Sequence, residues 1–290
     1  MFKFNRIYDF HRPDDKLAPL FLTSPHSGRT YPTEYINATN FNKEELRAFE
    51  DCYVDRLYSF APRLGSKFLI AKVPRIIIDL NRDVNEIDKE MFSNFTNFRD
   101  VRTAKVLSGI GLFPKVIGSN NIYKEKLDWI KFKKLLNEVH YYWHSKLEEE
   151  LYDTKSVFSD IVLLDCHSMP SINQNDERFG RPLPDFVVGD LWGKSCKIEI
   201  TNFLVDYLEN IGFTVSKNNP YAGAYILKKY GNPESGINAL QIEVRKDLYL
   251  DEKRLILKDS FKSLKTILKN LIQNLSGVLL EKNLLKKSAE

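Results

Sequence analysis

Ile161-Val162-Leu163-Leu164-Asp165-Cys166-His167-Ser168 is the stretch on which the fold turns. Four large apolar residues in a row, followed by an acid, a thiol and an imidazole, predict a strand covered on both faces whose end carries chemistry. Leu20-Phe21-Leu22-Thr23-Ser24-Pro25-His26-Ser27-Gly28 has the same form, an apolar strand breaking into a turn at a histidine. Working outward, strands are expected at Leu20–Thr23, Lys67–Lys72, Arg75–Leu80, Ile161–Asp165, Asp185–Val188, Phe213–Ser216 and Ala239–Val244. Helical patterns lie between them. One starts at Asn42, where Asn-Lys-Glu-Glu has the form of a capping box, and runs toward Ala61. Others run from Trp129 to Leu151, from Lys194 to Asn210 with Gly212 as a C-cap, and from Glu252 to about Leu275. Strands alternating with helices predict an α/β layer fold with a mixed, mostly parallel sheet. Segments 83–121, 169–184 and 217–237 read as long loops, and in such sheets the loops at the carboxyl ends of strands build the site.

The bulk properties narrow the field. A chain of 290 residues, 43% hydrophobic and 28% charged, suits one globular domain spanning 1–290, with a frayed basic tail from about residue 277. Forty-three basic residues against 39 acidic ones give a net charge of +4, part of it in Lys282, Lys286 and Lys287. So small an excess, with no basic–aromatic stripe, argues against a nucleic-acid partner. The three cysteines, Cys52, Cys166 and Cys196, form neither a disulfide framework nor a CxxC metal motif, which fits a reducing cytosol. Met1 to Pro13 lacks the apolar core of a signal peptide, and no stretch approaches the ~18–20 apolar residues of a membrane span. The expectation is a soluble cytoplasmic protein.

Histidine past the carboxyl end of a core strand points toward the crevice where ligands bind, and imidazole is the commonest nitrogen ligand of zinc. His26 and His167 both qualify; the competing reading is that each only caps its strand. A catalytic zinc needs a third protein ligand, and Asp51 sits on a helix with two apolar stripes, so it is the candidate, against a plain surface salt bridge. Leu240-Gln241-Ile242-Glu243-Val244-Arg245 alternates, which puts Gln241, Glu243 and Arg245 on one face. Glu243 is then the candidate base for water, unless the row is a surface ladder on an edge strand. Asn81-Arg82, at the end of Ile76-Ile77-Ile78-Asp79-Leu80, could hold a substrate carboxylate, with Arg75 at the other end; pairing of Arg82 with Asp79 is the alternative. His140 and His144 share a helix face but lack the HExxH order, and Gly109-Ile110-Gly111 lacks the strand–turn–helix context of a nucleotide site.

Read together, these segments resemble the N-formylglutamate amidohydrolase family. The matching stretches are Ser24–Gly28, Asp51–Tyr58, Pro74–Arg82, Gly109–Pro114, Leu164–Pro170, Asp185–Asp190, Asn218–Gly223 and Gln241–Arg245, in the family's order. The resemblance implies a three-layer α/β/α fold similar to zinc carboxypeptidases, with one Zn2+ or another divalent ion on His26 and His167. In that wider group the third ligand is a Glu three residues after the first His. Here that position is Arg29, and Asp51 is taken as the replacement. The resemblance further puts the general base on Glu243 and the carboxylate grip on Asn81 and Arg82, and brings His144 and Tyr221 toward the substrate. The implied reaction is hydrolysis of N-formyl-L-glutamate to formate and L-glutamate. The alternatives are another N-acyl amino acid or small peptide, or a non-catalytic protein that binds a metal or an acidic ligand.

Overall fold

Apolar runs without polar interruption pair as the core of a single sheet in the computed structural model, which describes residues 3–13, 16–172 and 182–288. Its strands are β1 (Tyr8–His11), β2 (Leu20–Ser24), β3 (Lys67–Ala71), β4 (Ile161–Met169), β5 (Phe186–Gly189), β6 (Val215–Lys217) and β7 (Ile237–Arg245). They lie in the order β1-β3-β2-β4-β7-β5-β6. β2 and β4, β4 and β7, and β5 and β6 pair parallel, while β5 and β7 pair antiparallel. The sheet is therefore mixed and mostly parallel, as the alternation of strands and helices predicts. Every residue of β4 is buried, as expected of a strand at the centre of such a sheet.

The chain divides into two compact units. The first comprises Met1–Asp9, Pro25–Glu50 and Ile70–Glu148; the second comprises Phe10–Ser24, Asp51–Leu69 and Glu149–Glu290. Strands β2, β4, β5, β6 and β7 lie wholly in the second unit. There α4 (Ile198–Asn210) buries Ile200, Leu204 and Leu208, a four-residue repeat on one face. The long α5 (Phe261–Lys287) packs beside it and buries Leu264, Leu268, Leu271, Leu275 and Leu279. In the first unit, the long segment after residue 83 carries its own core. Phe92 meets the rings of Trp129, Phe132 and Phe113 at centroid distances of 5.2, 5.6 and 5.8 Å. That cluster is why a stretch with so little regular structure keeps its place.

Several boundaries differ from the sequence expectations, each for a physical reason. The capping box at Asn42 forms, with Asn42 Oδ1 accepting from Glu45 N and Glu45 Oε2 from Asn42 N. The helix it starts, Lys43–Arg47, then stops, and helix resumes only at Val54–Leu57. Tyr53 has φ 64, a left-handed conformation that no helix interior accommodates, so Asp51 lies in a turn and not on a helix face. Arg75–Leu80 is not a strand. The Pro74 carbonyl accepts from Ile77 N and Ile78 N, closing a turn, and Asp79 N donates to Leu112 O at 2.8 Å. Ile76, Ile77 and Ile78 are buried by packing on all sides rather than by pairing, which leaves the same apolar signature. The helix from Trp129 passes through a π-helical segment, Leu136–Tyr141, before Tyr142–Val157. Part of the expected 169–184 loop, residues 173–181, lies outside the described residues.

The C-terminal segment read as a tail is helical to Lys287. Asn283 fixes it: its Oδ1 accepts from Asp160 N (2.9 Å) and Ser159 Oγ (3.0 Å), and its Nδ2 donates to Asp160 O (2.8 Å). Asn283→Ala leaves those buried groups unsatisfied and should lower stability by about 1–3 kcal/mol in urea titrations. A loss under about 0.5 kcal/mol, the range of ordinary surface changes, would show that the helix end is not anchored there.

Candidate functional site

In the second unit, strand register brings a row of polar residues together. Thr23 pairs with Asp165 across β2 and β4, and Gln241 and Glu243 pair with Asp165 and His167 across β4 and β7. Residues in register on neighbouring strands share a face, as do residues two apart on one strand. Thr23 Oγ1 accordingly donates to Asp165 Oδ1 at 2.8 Å, His167 Nε2 bonds Asp165 Oδ2 at 2.8 Å, and Gln241 Nε2 donates to Glu243 Oε1 at 2.8 Å. Glu243 is 7% exposed and sits on a strand flanked on both sides, so it is no surface ladder. Arg245, its neighbour on that face, is fastened to Asp185 at 3.0 Å and to the Leu183 carbonyl. The left-handed turn at Tyr53 delivers Asp51, whose Oδ2 lies 2.9 Å from His167 Nδ1. Tyr249 donates its hydroxyl to the Cys52 carbonyl at 2.8 Å, holding that turn.

His167 is thus gripped by a carboxylate at each ring nitrogen. Burial alone lowers an imidazole pKa, but Asp165, Asp51 and Glu243 outweigh it and raise His167 well above the usual 6.5. A cation bound at this point would compete with the proton that the two carboxylates favour on the ring.

In the first unit, His26 is 2% exposed, and its Nε2 lies 2.7 Å from Asp79 Oδ1. Asp79 also accepts from Asn81 N at 2.8 Å, and its Oδ2 pairs with Arg75 Nη2 at 2.8 Å. Burial would raise the Asp79 pKa, yet His26, Arg75 and Arg82 hold it well below the usual value. The partner of Asp79 is Arg75 and not Arg82. Arg82, 7% exposed, donates Nε to Ile110 O and Nη1 to Asn81 O, both at 3.0 Å, and bonds no carboxylate among the described residues. The helix behind it supplies His140 Nε2 to the Arg82 carbonyl at 3.0 Å and His144 Nε2 to the Leu80 carbonyl at 2.9 Å. Both histidines therefore brace the backbone that carries Asn81 and Arg82. Gly28, two residues after His26, lies so close to the Val73 carbonyl that a Cβ would overlap it.

Asp51, His167 and Glu243 are assembled within one unit; His26, Arg75, Asn81, Arg82 and His144 are assembled in the other. Tyr221 packs against Met169, Leu183 and Val187, and Arg29 is half-buried. Sequence reasoning missed the two carboxylates behind the histidines. Asp165 was findable, since it lies two residues before His167 on the same strand face. Asp79 was not, because its histidine partner is 53 positions away.

The sequence profile of the N-formylglutamate amidohydrolase family matches residues 18–250. Proteins named N-formylglutamate deformylase from Pseudomonas aeruginosa and Pseudomonas putida are similar to this chain. The first is 29% identical over 239 residues, 81% of this chain and 83% of that protein. The second is 27% identical over 254 residues, 86% of each. The crystal structure of N-formylglutamate amidohydrolase from Ralstonia eutropha JMP134 superposes with a TM-score of 0.90 at 30% identity, covering 95% of this chain and 99% of that one. A gene product of Agrobacterium tumefaciens shares the fold, with a TM-score of 0.68 at 16% identity and 96% of each chain covered.

The two-carboxylate grip gives a pH signature. Because the folded pKa of His167 is raised, its contribution to stability is complete below about 6.5 and is lost as pH rises through the folded value. NMR titration of the metal-free protein should show the His167 imidazole titrating above the usual 6.5; a transition near 6.5 would contradict the geometry. A metal bound at His167 would have to displace a proton from the ring, so its apparent affinity would strengthen as pH rises.

Proposed function

The chain belongs to the N-formylglutamate amidohydrolase family, and on that premise we propose that it hydrolyses N-formyl-L-glutamate, using one zinc ion on His26, Asp51 and His167. The observation that carries this reading is the carboxylate behind each imidazole: Asp79 on His26 Nε2 and Asp165 on His167 Nε2. Zinc-ligating histidines almost always donate their second ring N–H to such a partner, which fixes the tautomer and raises ligand basicity. Two imidazoles and one carboxylate form a donor set typical of catalytic zinc. Chain continuity supports the grouping. Ser24 ends β2 beside the strand that carries His167, and His26 follows two residues later.

An ion held there supplies Lewis acidity toward the amide carbonyl and acidifies water. The chain's own residues do the rest. Asp79 and Asp165 keep the two rings turned so that Nδ1 is the ligating atom. Glu243, in register with His167, accepts the proton of the attacking water and passes it to the amide nitrogen as the C–N bond breaks. Water adds across that bond and leaves formate and L-glutamate. Gln241 orients the Glu243 carboxylate through their 2.8 Å hydrogen bond. Asn81 and Arg82 grip the substrate's α-carboxylate, and Arg75 adds positive charge from its place on Asp79. His144 acts through the Leu80 carbonyl it holds, and Tyr221 borders the substrate.

Two experiments test this. Protein loaded with zinc and then dialysed should hold about one zinc per chain, and His26→Ala, Asp51→Ala and His167→Ala should each lose it. Full metal content in any of the three removes that residue from the site. Glu243→Gln should keep zinc and thermal stability while kcat on N-formyl-L-glutamate falls by about 10²–10⁴-fold. Wild-type turnover in that variant excludes Glu243 as the base. A parallel screen of N-acetyl and peptidyl amino acids with the wild type would show whether the formyl substrate is preferred.

A further inference from the structure

The peptide groups from Leu80 to Asp83, which carry Asn81 and Arg82, have every main-chain donor and acceptor occupied. In the Leu80–Asn81 peptide, Asn81 N donates to Asp79 Oδ1 at 2.8 Å and the Leu80 carbonyl accepts from His144 Nε2 at 2.9 Å. In the Asn81–Arg82 peptide, Arg82 N donates to the Asp79 carbonyl at 3.2 Å and the Asn81 carbonyl accepts from Arg82 Nη1 at 3.0 Å. In the Arg82–Asp83 peptide, Asp83 N donates to Glu86 Oε2 and the Arg82 carbonyl accepts from His140 Nε2, both at 3.0 Å. The outer two peptides therefore share one plan, a carboxylate on the N–H and an imidazole on the C=O. A carbonyl only accepts, so both histidines present Nε2–H.

The Glu86 end of this clamp is itself anchored. Glu86 Oε1 accepts from Thr103 Oγ1 at 2.8 Å, and the Glu86 carbonyl accepts from Leu112 N at 2.7 Å. A Cβ on Gly111 would lie 2.5 Å from that carbonyl, so the approach requires a glycine. His140, at the other end, is 1% exposed and comes from the π-helical segment. The side chain of Arg82 is fixed as firmly as its backbone. Its Nε donates to the Ile110 carbonyl and its Nη1 to the Asn81 carbonyl, while Nη2 bonds no group among the described residues. Nη2 is thus the donor left for a carboxylate. A guanidinium grips a carboxylate well only when its position is set beforehand, since any ordering left to the bound state is subtracted from affinity.

We propose that Glu86 and His140 are positioning residues: closing on the two ends of the Arg82–Asp83 peptide, they set the angle at which Arg82 meets the substrate's α-carboxylate. The assignment rests on the amidohydrolase reading above, and it adds the residues on which the strength of that grip depends. Both act through main-chain atoms. Removing either leaves one end of the peptide unsatisfied and lets the Arg82 backbone turn, which weakens carboxylate binding and spares the chemistry at the scissile amide.

The test uses two substrates, N-formyl-L-glutamate and N-formyl-4-aminobutyrate, which differ only in the α-carboxylate. The zinc-loaded wild type is compared with Glu86→Ala, His140→Leu, Glu86→Gln, His140→Gln and Arg82→Met. Glutamine keeps the atom that matters in each place, an acceptor oxygen for Asp83 N or a donor nitrogen for the Arg82 carbonyl. In Glu86→Ala and His140→Leu, KM for N-formyl-L-glutamate should rise about 10-fold with kcat held, the mark of lost ground-state binding. Activity on N-formyl-4-aminobutyrate should not move, and both glutamine variants should stay close to the wild type. Equal losses on the two substrates, or an unmoved KM, overturn the assignment. So does failure of both apolar variants to fold; if one fails, the other decides. An unchanged substrate preference in Arg82→Met overturns the grip and the clamp together. If the wild type hydrolyses neither compound, the proposed reaction fails, and calorimetric binding of L-glutamate and 4-aminobutyrate decides the clamp. Glutamate binding that weakens about 10-fold in the apolar variants, with 4-aminobutyrate unmoved, upholds it; unmoved glutamate binding, or none in the wild type, refutes it.

Discussion

An imidazole with a carboxylate at each nitrogen is the constraint from which the rest of this site follows. His167, Asp165 and Asp51 are all buried, and burying charge is expensive unless every charge is paired and hydrogen-bonded. The chain meets that requirement with three devices. Parallel register sets Thr23 beside Asp165, alternation along β4 sets Asp165 beneath His167, and a left-handed residue at Tyr53 swings Asp51 to the ring's other side. Removing any one leaves an uncompensated buried charge, so the arrangement stands or falls as a unit. Folding a chain around two acids that share one base also concentrates negative charge, which favours a proton on the ring and raises its pKa.

The same logic recurs in the first unit with different parts. His26 is anchored by Asp79, and Asp79 is in turn satisfied by Asn81 N and Arg75. A turn does here what a strand does for His167: Pro74 closes the chain back so that Ile76, Ile77 and Ile78 fill the core while Asp79, Asn81 and Arg82 emerge together. His140 and His144, on the helix that includes a π-helical segment, complete the support by bonding the carbonyls of Arg82 and Leu80. On the proposed reading, Asn81 and Arg82 touch substrate while these histidines hold their backbone, which is how a site keeps sub-ångström geometry.

What could be read from the sequence follows the range of the forces involved. The core strands and the polar row on β7 were legible, because period-two alternation and apolar runs are local. The capping box at Asn42 was legible for the same reason. The break at Asp51-Cys52-Tyr53 was not, since the conformation of Tyr53 depends on tertiary contacts such as Tyr249 with Cys52. Ile76-Ile77-Ile78 misled, because complete burial leaves the same mark on a turn as on a strand. In the site, the histidines were readable as imidazoles near the carboxyl ends of core strands, although β4 runs on to Met169 and so holds His167 within it. Asp79 was hidden by its distance in sequence from His26.

The central claim is that two imidazoles and one carboxylate of this chain bind a single zinc ion. X-ray absorption at the zinc edge of the loaded protein tests it most directly. The account predicts a first shell of nitrogen and oxygen at about 2.0–2.1 Å, with two imidazoles in the wild type and one in either His26→Ala or His167→Ala where residual zinc remains. Sulfur scattering at about 2.3 Å, or an unchanged imidazole count in those variants, would contradict it.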